Sequence, residues 1–273
     1  MMLSLFCLLI SWIEDHELKK GKLHKLQNAN SFLPPFMKFK RFFSSKPKNV
    51  EIEVKFAFDK AKEEKIKSMC SFMGEKKMRD VYYDHPTKYF LSKKDIWLRE
   101  RNEEWECKVD FHFYQSLLQE TDASLHKTGE ASGYDNYKEL GGEEEINFFL
   151  SKWRLVERGG SLEETLKRNF IKPFCCIESV RSKYLYRGEE GSITIDLDST
   201  DFGYNIGEIE VMVEKESEIE LAEKKIGRFS RLASIDLKSG VNGKVLEYIR
   251  KYNPPHFEAL RECGLLERKG AKY

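Results

Sequence analysis

The sequence holds no Cys-x-x-Cys pair, no glycine-rich GxxxxGK[ST] loop, no GxGxxG turn, and no apolar run long enough to span a bilayer. Each absence removes a class of protein. The six cysteines (Cys7, Cys70, Cys107, Cys175, Cys176 and Cys263) fall at irregular spacings. That argues against a disulfide framework or a structural zinc site and fits reduced thiols in a cytoplasmic-type compartment. Without either glycine motif, neither a P-loop nor a dinucleotide fold is supported. Net charge is also missing. Lys+Arg 47 against Asp+Glu 46 leaves +1, so no overall field draws the chain to nucleic acid or to a membrane surface.

What is present is a globular composition. Charged residues make up 34 % of the 273 and hydrophobics 40 %, with 19 Phe, enough to bury a substantial core in one large domain or two small ones. The first 48 residues differ in kind. Leu3 to Ile13 is apolar but well short of the ~20 residues a spanning helix needs, has no basic stretch before it, and runs straight into Glu14 and Asp15. From Met37 onward the segment is basic and punctuated by Ser and Pro. It reads as a linker or an alternative start in preference to a mitochondrial presequence, so the expected location is cytoplasmic, with mitochondrial as the alternative. The organisation expected is a poorly ordered extension over 1–48, one domain over 49–266, and a tail over 267–273.

Patterning along the domain alternates strands and helices. Asn49–Phe58 reads as a strand, and Asp59 caps a helix reaching about Met73. Arg79–Asp84 is a short strand, Ile96–Arg101 and Trp105–Val109 a hairpin, and 110–136 a long polar loop. Tyr137–Leu140 is a strand before a helix carrying Ile146, Phe149, Leu150 and Trp153 at helical spacing. Strands over Cys176–Arg187, Ser192–Asp198 and Glu208–Glu214 follow, then helices over 216–233, 244–252 and 256–266. Short strands joined mostly by hairpins, with helices inserted, predict an α+β fold around an antiparallel sheet closed as a barrel.

The strands carry an unusual second pattern. Successive side chains on a strand point to opposite faces. In Glu51-Ile52-Glu53-Val54-Lys55 the charges therefore share one face and the apolar residues the other. The same holds for Trp97, Arg99 and Arg101, for Glu106 and Lys108, for Arg181 and Lys183, for Asp196 and Asp198, and for Glu208 and Glu210. Any one of these could be a wet outer face. Together they are sorted by sign, strand by strand, which fits a barrel with a charged interior and apolar faces turned outward against helices. Such an interior is costly unless its charges are paired or met by ligand ions. Clustered carboxylates suit Mg²⁺ or Mn²⁺, and Arg with Lys clamps phosphate oxygens, so the residues point to a metal-assisted polyphosphate site.

Glu51-x-Glu53-x-Lys55 resembles the ExExK signature of the CYTH superfamily, the triphosphate tunnel metalloenzymes. The match extends through Val81-Tyr82-Tyr83-Asp84, Trp97-Leu98-Arg99-x-Arg101, Trp105-Glu106-x-Lys108, Tyr137-Lys138-Glu139-Leu140, Asp196-Leu197-Asp198 and Gly207-Glu208-x-Glu210, over about three quarters of the chain. It is strongest toward the animal thiamine triphosphatases. The resemblance implies an eight-stranded antiparallel tunnel that hydrolyses thiamine triphosphate with Mg²⁺ or Mn²⁺. Inorganic tripolyphosphate is the alternative substrate, and triphosphate binding without catalysis or adenylate cyclase activity follow further behind. It implies Lys55, Arg99, Arg101, Lys108, Arg181 and Lys244 on the phosphates, with Lys183 as the alternative to Arg181. Glu51, Glu53, Asp196, Glu208 and Glu210 would hold metal, Asp198 would line the pocket, and Trp97 would stack on the thiamine ring. Lys55 with Tyr82 would deprotonate water, Glu53 completing the catalytic set. The partner implied is a small triphosphate alone, without nucleic acid or membrane, and the chain would act as a monomer.

Overall fold

The computed structural model describes residues 50–118, 134–152, 154–189, 191–237 and 241–270. The extension expected over 1–48 and Trp153 lie outside them. Eight strands run as β1 (Val50–Phe56), β2 (Ser71–Asp84), β3 (Ile96–Arg101), β4 (Glu104–Asp110), β5 (Asp135–Gly141), β6 (Lys172–Gly188), β7 (Gly191–Thr200) and β8 (Asn205–Val213). All pair antiparallel, in the order β1-β5-β4-β3-β2-β6-β7-β8, and β8 returns to β1 to close the ring. Closure removes the two edges an open sheet would have, although residues 71–79 of β2 ladder on one side only, to β6. Among the described residues no helix is long and apolar enough to cross a membrane.

The helices are α1 (Lys60–Met69), α2 (Phe111–Leu118), α3 (Glu143–Lys152), α4 (Leu162–Arg168), α5 (Ile219–Ala233), α6 (Lys244–Tyr252), α7 (Pro254–Glu262) and α8 (Leu265–Arg268). Helices α1 to α5 cover outward strand faces, whereas the last three pack on the inward-facing Tyr82, Trp97 and Tyr137. Ile52, Val54 and Phe56 of β1 pack with Ile195, Ile209 and the Ala222, Ile226 and Phe229 side of α5. Leu98, Cys107, Val109 and Leu140 pack against Ile146, Phe149 and Leu150 of α3 and Leu162 and Leu166 of α4. A third cluster joins Tyr82, Trp97 and Tyr137 to Val245, Leu246, Ile249, Leu260 and Leu265 of the last three helices. Burial of the first two apolar faces, at about 25 cal/mol per Å², drives the strands to turn their charged faces inward.

One close approach requires glycine. Gly207 pairs with Phe56 across β1 and β8, and a Cβ there would lie 2.1 Å from Phe56 Cζ. The ring of Phe56 lies flat over the glycine, sealing the outer core.

Several boundaries differ from the sequence expectation. Helix α1 stops at Met69, where Cys70 turns extended, and β2 begins at Ser71. The polar stretch before Arg79 is held as strand by its ladder to the 17-residue β6, a tertiary partner that its own pattern does not reveal. The loop expected over 110–136 opens with helix α2, whose start Asp110 caps by accepting from Phe113 N–H at 2.8 Å and whose Phe111 and Tyr114 are buried. The helix expected over 256–266 is two, broken at Gly264 with φ of 73°, and Pro254 opens the first of them, where a missing N–H costs nothing.

Candidate active site

The strand faces assemble a charged cavity of about 140 Å³ inside the ring. At about 10–15 Å³ per water, it holds on the order of ten waters, so the charges face solvent and one another. Strand order sets which charges meet. The carboxylates Asp196 and Asp198 (β7), Glu208 and Glu210 (β8), and Glu51 and Glu53 (β1) come from three consecutive strands of the ring. Arg99 and Arg101 stand on β3, four places from β8 either way round, with Lys108 beside them on β4. The tunnel thus has an acidic arc facing a basic one, and Lys55 and Arg181 reach in from within or beside the acidic arc.

Every cation is placed by a carboxylate. Lys108 Nζ donates to Glu51 and, at 3.0 Å, to Glu53 Oε2. Lys55 Nζ donates to Glu53 and, at 2.6 Å, to Asp135 Oδ2. Gly243 leaves room for this side chain, since a Cβ there would sit 3.2 Å from Lys55 Cε. Arg99 forks onto Glu106 Oε2 at 2.9 and 2.7 Å and donates to Tyr82 Oη at 3.2 Å. Arg101 grips Asp80 at two points, 2.6 and 2.8 Å. Arg181 spans Asp198 at 2.7 Å twice, Glu208 at 2.7 Å, and Asp196. Lys244, at the first position of α6, donates to Asp198.

The alternative of Lys183 as the inward cation is resolved by position. Arg181 reaches the carboxylates of both β7 and β8 from the cavity wall, whereas Lys183 is about half exposed, 3.0 Å from Asp196 Oδ1.

Two groups of carboxylates bring oxygens within 4.8 Å of one another: Glu51, Glu53 and Glu210, and Asp196, Glu208 and Glu210. Their electrostatics fit a cation. Burial, only partly offset by Lys108, pushes the Glu51 carboxyl up to about 7. Burial together with the neighbouring Glu51 and Asp196 pushes Glu210 well above the carboxylate range. Burial would do the same to Glu53 and Glu208, but Lys108 and Lys55 hold the first below its usual value and Arg181 holds the second well below. Glu51 and Glu210 thus hold protons more readily than ordinary carboxyls, and a bound cation can take the place of those protons. An all-oxygen donor set of this kind suits a hard divalent ion such as Mg²⁺ or Mn²⁺.

Two expected roles need correction. Asp198 does not line the cavity. It is fully covered behind Arg181 and Lys244, with its oxygens accepting from both, and so it places two cations that do line it. Tyr82 is not paired with Lys55. β1 and β2 lie diametrically opposite in the ring, so Tyr82 Oη meets Arg99 while Lys55 meets Glu53 and Asp135. Trp97 does line the cavity, but it is only 7 % exposed, and its indole N–H donates to Asp95 Oδ1 at 2.7 Å.

Sequence reasoning missed Asp80, Asp95, Asp135, Tyr137, Glu139 and Lys269. Applying the alternation rule to β5 would have found Tyr137 and Glu139, and extending the strand by two residues adds Asp135. Asp80 needed only the same rule on β2, where it shares parity with Tyr82. Lys269 follows α8 and has no local signal at all.

A family model for the CYTH domain matches residues 49–242. The thiamine-triphosphatase of Homo sapiens is 28 % identical over 224 residues, covering 79 % of this chain and 90 % of the relative. That of Macaca fascicularis is 27 % identical over the same length. Among solved structures, a protein of Pyrococcus horikoshii superposes with a TM-score of 0.45 at 24 % identity, covering 68 % of this chain and 91 % of the other.

Proposed function

This chain belongs to the CYTH domain family, and from that premise we propose that it hydrolyses the terminal phosphoanhydride of a small triphosphate, thiamine triphosphate foremost, with a divalent metal. The observation that carries the reading is the acidic arc of β7, β8 and β1 facing the arginines of β3 across one cavity. A triphosphate brings oxygens for the basic side and chelates a cation held by the acidic side, so the ligand joins the two.

Lys55, Arg99, Arg101, Lys108, Arg181 and Lys244 bind and align the phosphate oxygens. Their own carboxylate partners hold them in place beforehand, so little reorganisation is needed at the moment of reaction. Glu51, Glu53, Asp196, Glu208 and Glu210 hold the metal, which when bound offsets phosphoryl charge and lowers the pKa of water. Phosphoryl transfer needs little covalent chemistry from protein, which suits a cavity whose lining, among the described residues, holds no Ser or Cys. Tyr82 and Lys55 serve by charge and position. Burial raises the Tyr82 phenol, and despite burial Asp135 and Glu53 hold Lys55 firmly protonated, so neither is a ready proton acceptor.

A second reading, inorganic tripolyphosphate as substrate, is favoured by one observation. The Trp97 indole is largely covered and tied to Asp95, as a wall residue would be. Phosphate release from thiamine triphosphate, tripolyphosphate and ATP, each with Mg²⁺, Mn²⁺ or Ca²⁺, tests both readings. Fastest release from thiamine triphosphate, reduced in Trp97→Ala with tripolyphosphate turnover unchanged, supports the first. Release from none of the three in any metal overturns the function.

A further inference from the structure

Lys269 lies beyond the last helix, yet its ammonium enters the tunnel wall. An ammonium has three N–H groups, and all three are used: on Asp95 Oδ2 at 2.6 Å, on Asp135 Oδ1 at 2.8 Å, and on Tyr137 Oη at 2.8 Å. It therefore has no donor left for a ligand. Its importance lies in what those acceptors also hold. Asp135 gives its other oxygen to Lys55 at 2.6 Å. Asp95 gives its other oxygen to Trp97 Nε1 at 2.7 Å and to Tyr137 Oη at 3.2 Å. Asp110 and Asp135, both acidic, also act on Asp95.

Resting on the triphosphatase reading above, we propose that Lys269 is a positioning residue for triphosphate binding, sharing Asp135 with Lys55 so that Lys55 stays free to turn to phosphate. A buried carboxylate with one cation holds it tightly, because the field inside the tunnel is screened far less than in water. With two cations on opposite oxygens, that hold is divided. Removing Lys269 leaves Lys55 as the sole cation on Asp135, and the ammonium of the ExExK strand is then drawn to the wall and away from the ligand. The effect runs through Asp135 and vanishes when its charge is removed.

The test is calorimetric binding of tripolyphosphate to the full chain in chelator, where no turnover occurs. Lys269→Met is expected to weaken binding about tenfold or more, the scale of one charge-assisted hydrogen bond. Lys269→Arg, which restores a cation, should stay near wild type. In an Asp135→Asn background, Lys269→Met should change nothing. Equal binding by wild type and Lys269→Met overturns the proposal. So does an equal loss with and without the Asp135 charge, since that is the signature of a simple field effect. If Lys269→Met does not fold, Lys269→Gln carries the same comparison. A wild-type chain that binds no tripolyphosphate in chelator, or binding that is indifferent to Lys269, overturns the proposal alone, whereas the functional reading falls only if phosphate is released from none of the three substrates with metal.

Discussion

Asp198 meets Arg181 in a two-point contact, with Nε on Oδ1 and Nη2 on Oδ2 at 2.7 Å each, and Asp198 has no exposed surface. The same carboxylate accepts from Lys244. One buried anion thus sets the position of two cations that line the tunnel. Asp198→Asn leaves both short of a partner, at a cost of about 3–5 kcal/mol for a broken buried pair. At ~2–4 °C per kcal/mol for a domain of this size, Tm should fall by about 6–20 °C. Because a triphosphate can replace the lost anion, tripolyphosphate should raise the variant's Tm more than the wild type's. Scanning calorimetry with and without ligand reads both effects, and an unchanged Tm would refute the anchoring role.

Glu210 belongs to both carboxylate groups, whereas Glu51 and Asp196 each belong to one. Glu210→Gln should therefore weaken Mn²⁺ binding, followed by electron paramagnetic resonance of the free ion, more than Glu51→Gln or Asp196→Asn does. Equal effects from all three would mean that the groups do not share a ligand.

Gly207 and Phe56 should behave as one packing unit. Gly207→Ala places a methyl within the Phe56 ring, and with Phe56 fixed opposite Gly207 by the β1–β8 ladder and buried in the core the ring has little room to move. Overpacking of this kind costs about 1–3 kcal/mol or more. Combining it with Phe56→Leu should recover part of the loss. Urea denaturation of the singles and the double gives the coupling, and simple additivity would show that the contact is not the cause.

His256 sets a pH dependence of stability away from the tunnel. It has no exposed surface, accepts or donates at Ser92 Oγ at 2.8 Å, and stacks on Tyr89 at 4.0 Å. Burial, helped by Lys93, lowers its pKa from 6.5 to about 4. The folded state thus keeps His256 neutral while the unfolded chain takes up a proton below 6.5. Its contribution is complete above pH 6.5 and is lost as pH falls toward 4, by about 3 kcal/mol. His256→Gln removes that slope, so the stability gap between wild type and variant should be widest at pH 7 and narrow toward pH 4. A gap constant across this range would contradict a buried neutral histidine.

The sequence made the site readable strand by strand because period two is a local property. Glu51, Glu53 and Lys55 share a face whatever β1 pairs with, and so do Arg99 with Arg101 and Glu208 with Glu210. Sorting by sign then implied an interior of charge, and the CYTH resemblance supplied the ring. Where local pattern was weak, the reading stopped short. Ser71–Met78 looks like a helix end followed by polar loop and becomes strand only against β6. The Phe111–Leu118 helix is hidden at the start of a polar stretch, where packing of Phe111 and Tyr114 decides it.

By itself, then, the sequence determined which charged side chains share one face of each strand it recognised, since alternation depends only on near neighbours along the chain. Only the tertiary structure decided which charge meets which. Strand order put Tyr82 across the ring from Lys55 and next to Arg99, and hid Asp198 behind Arg181. It also brought Lys269 from the far end of the chain onto Asp135, a separation of 134 residues. Those pairings depend on ring closure and helix docking, and no spacing along the chain encodes them.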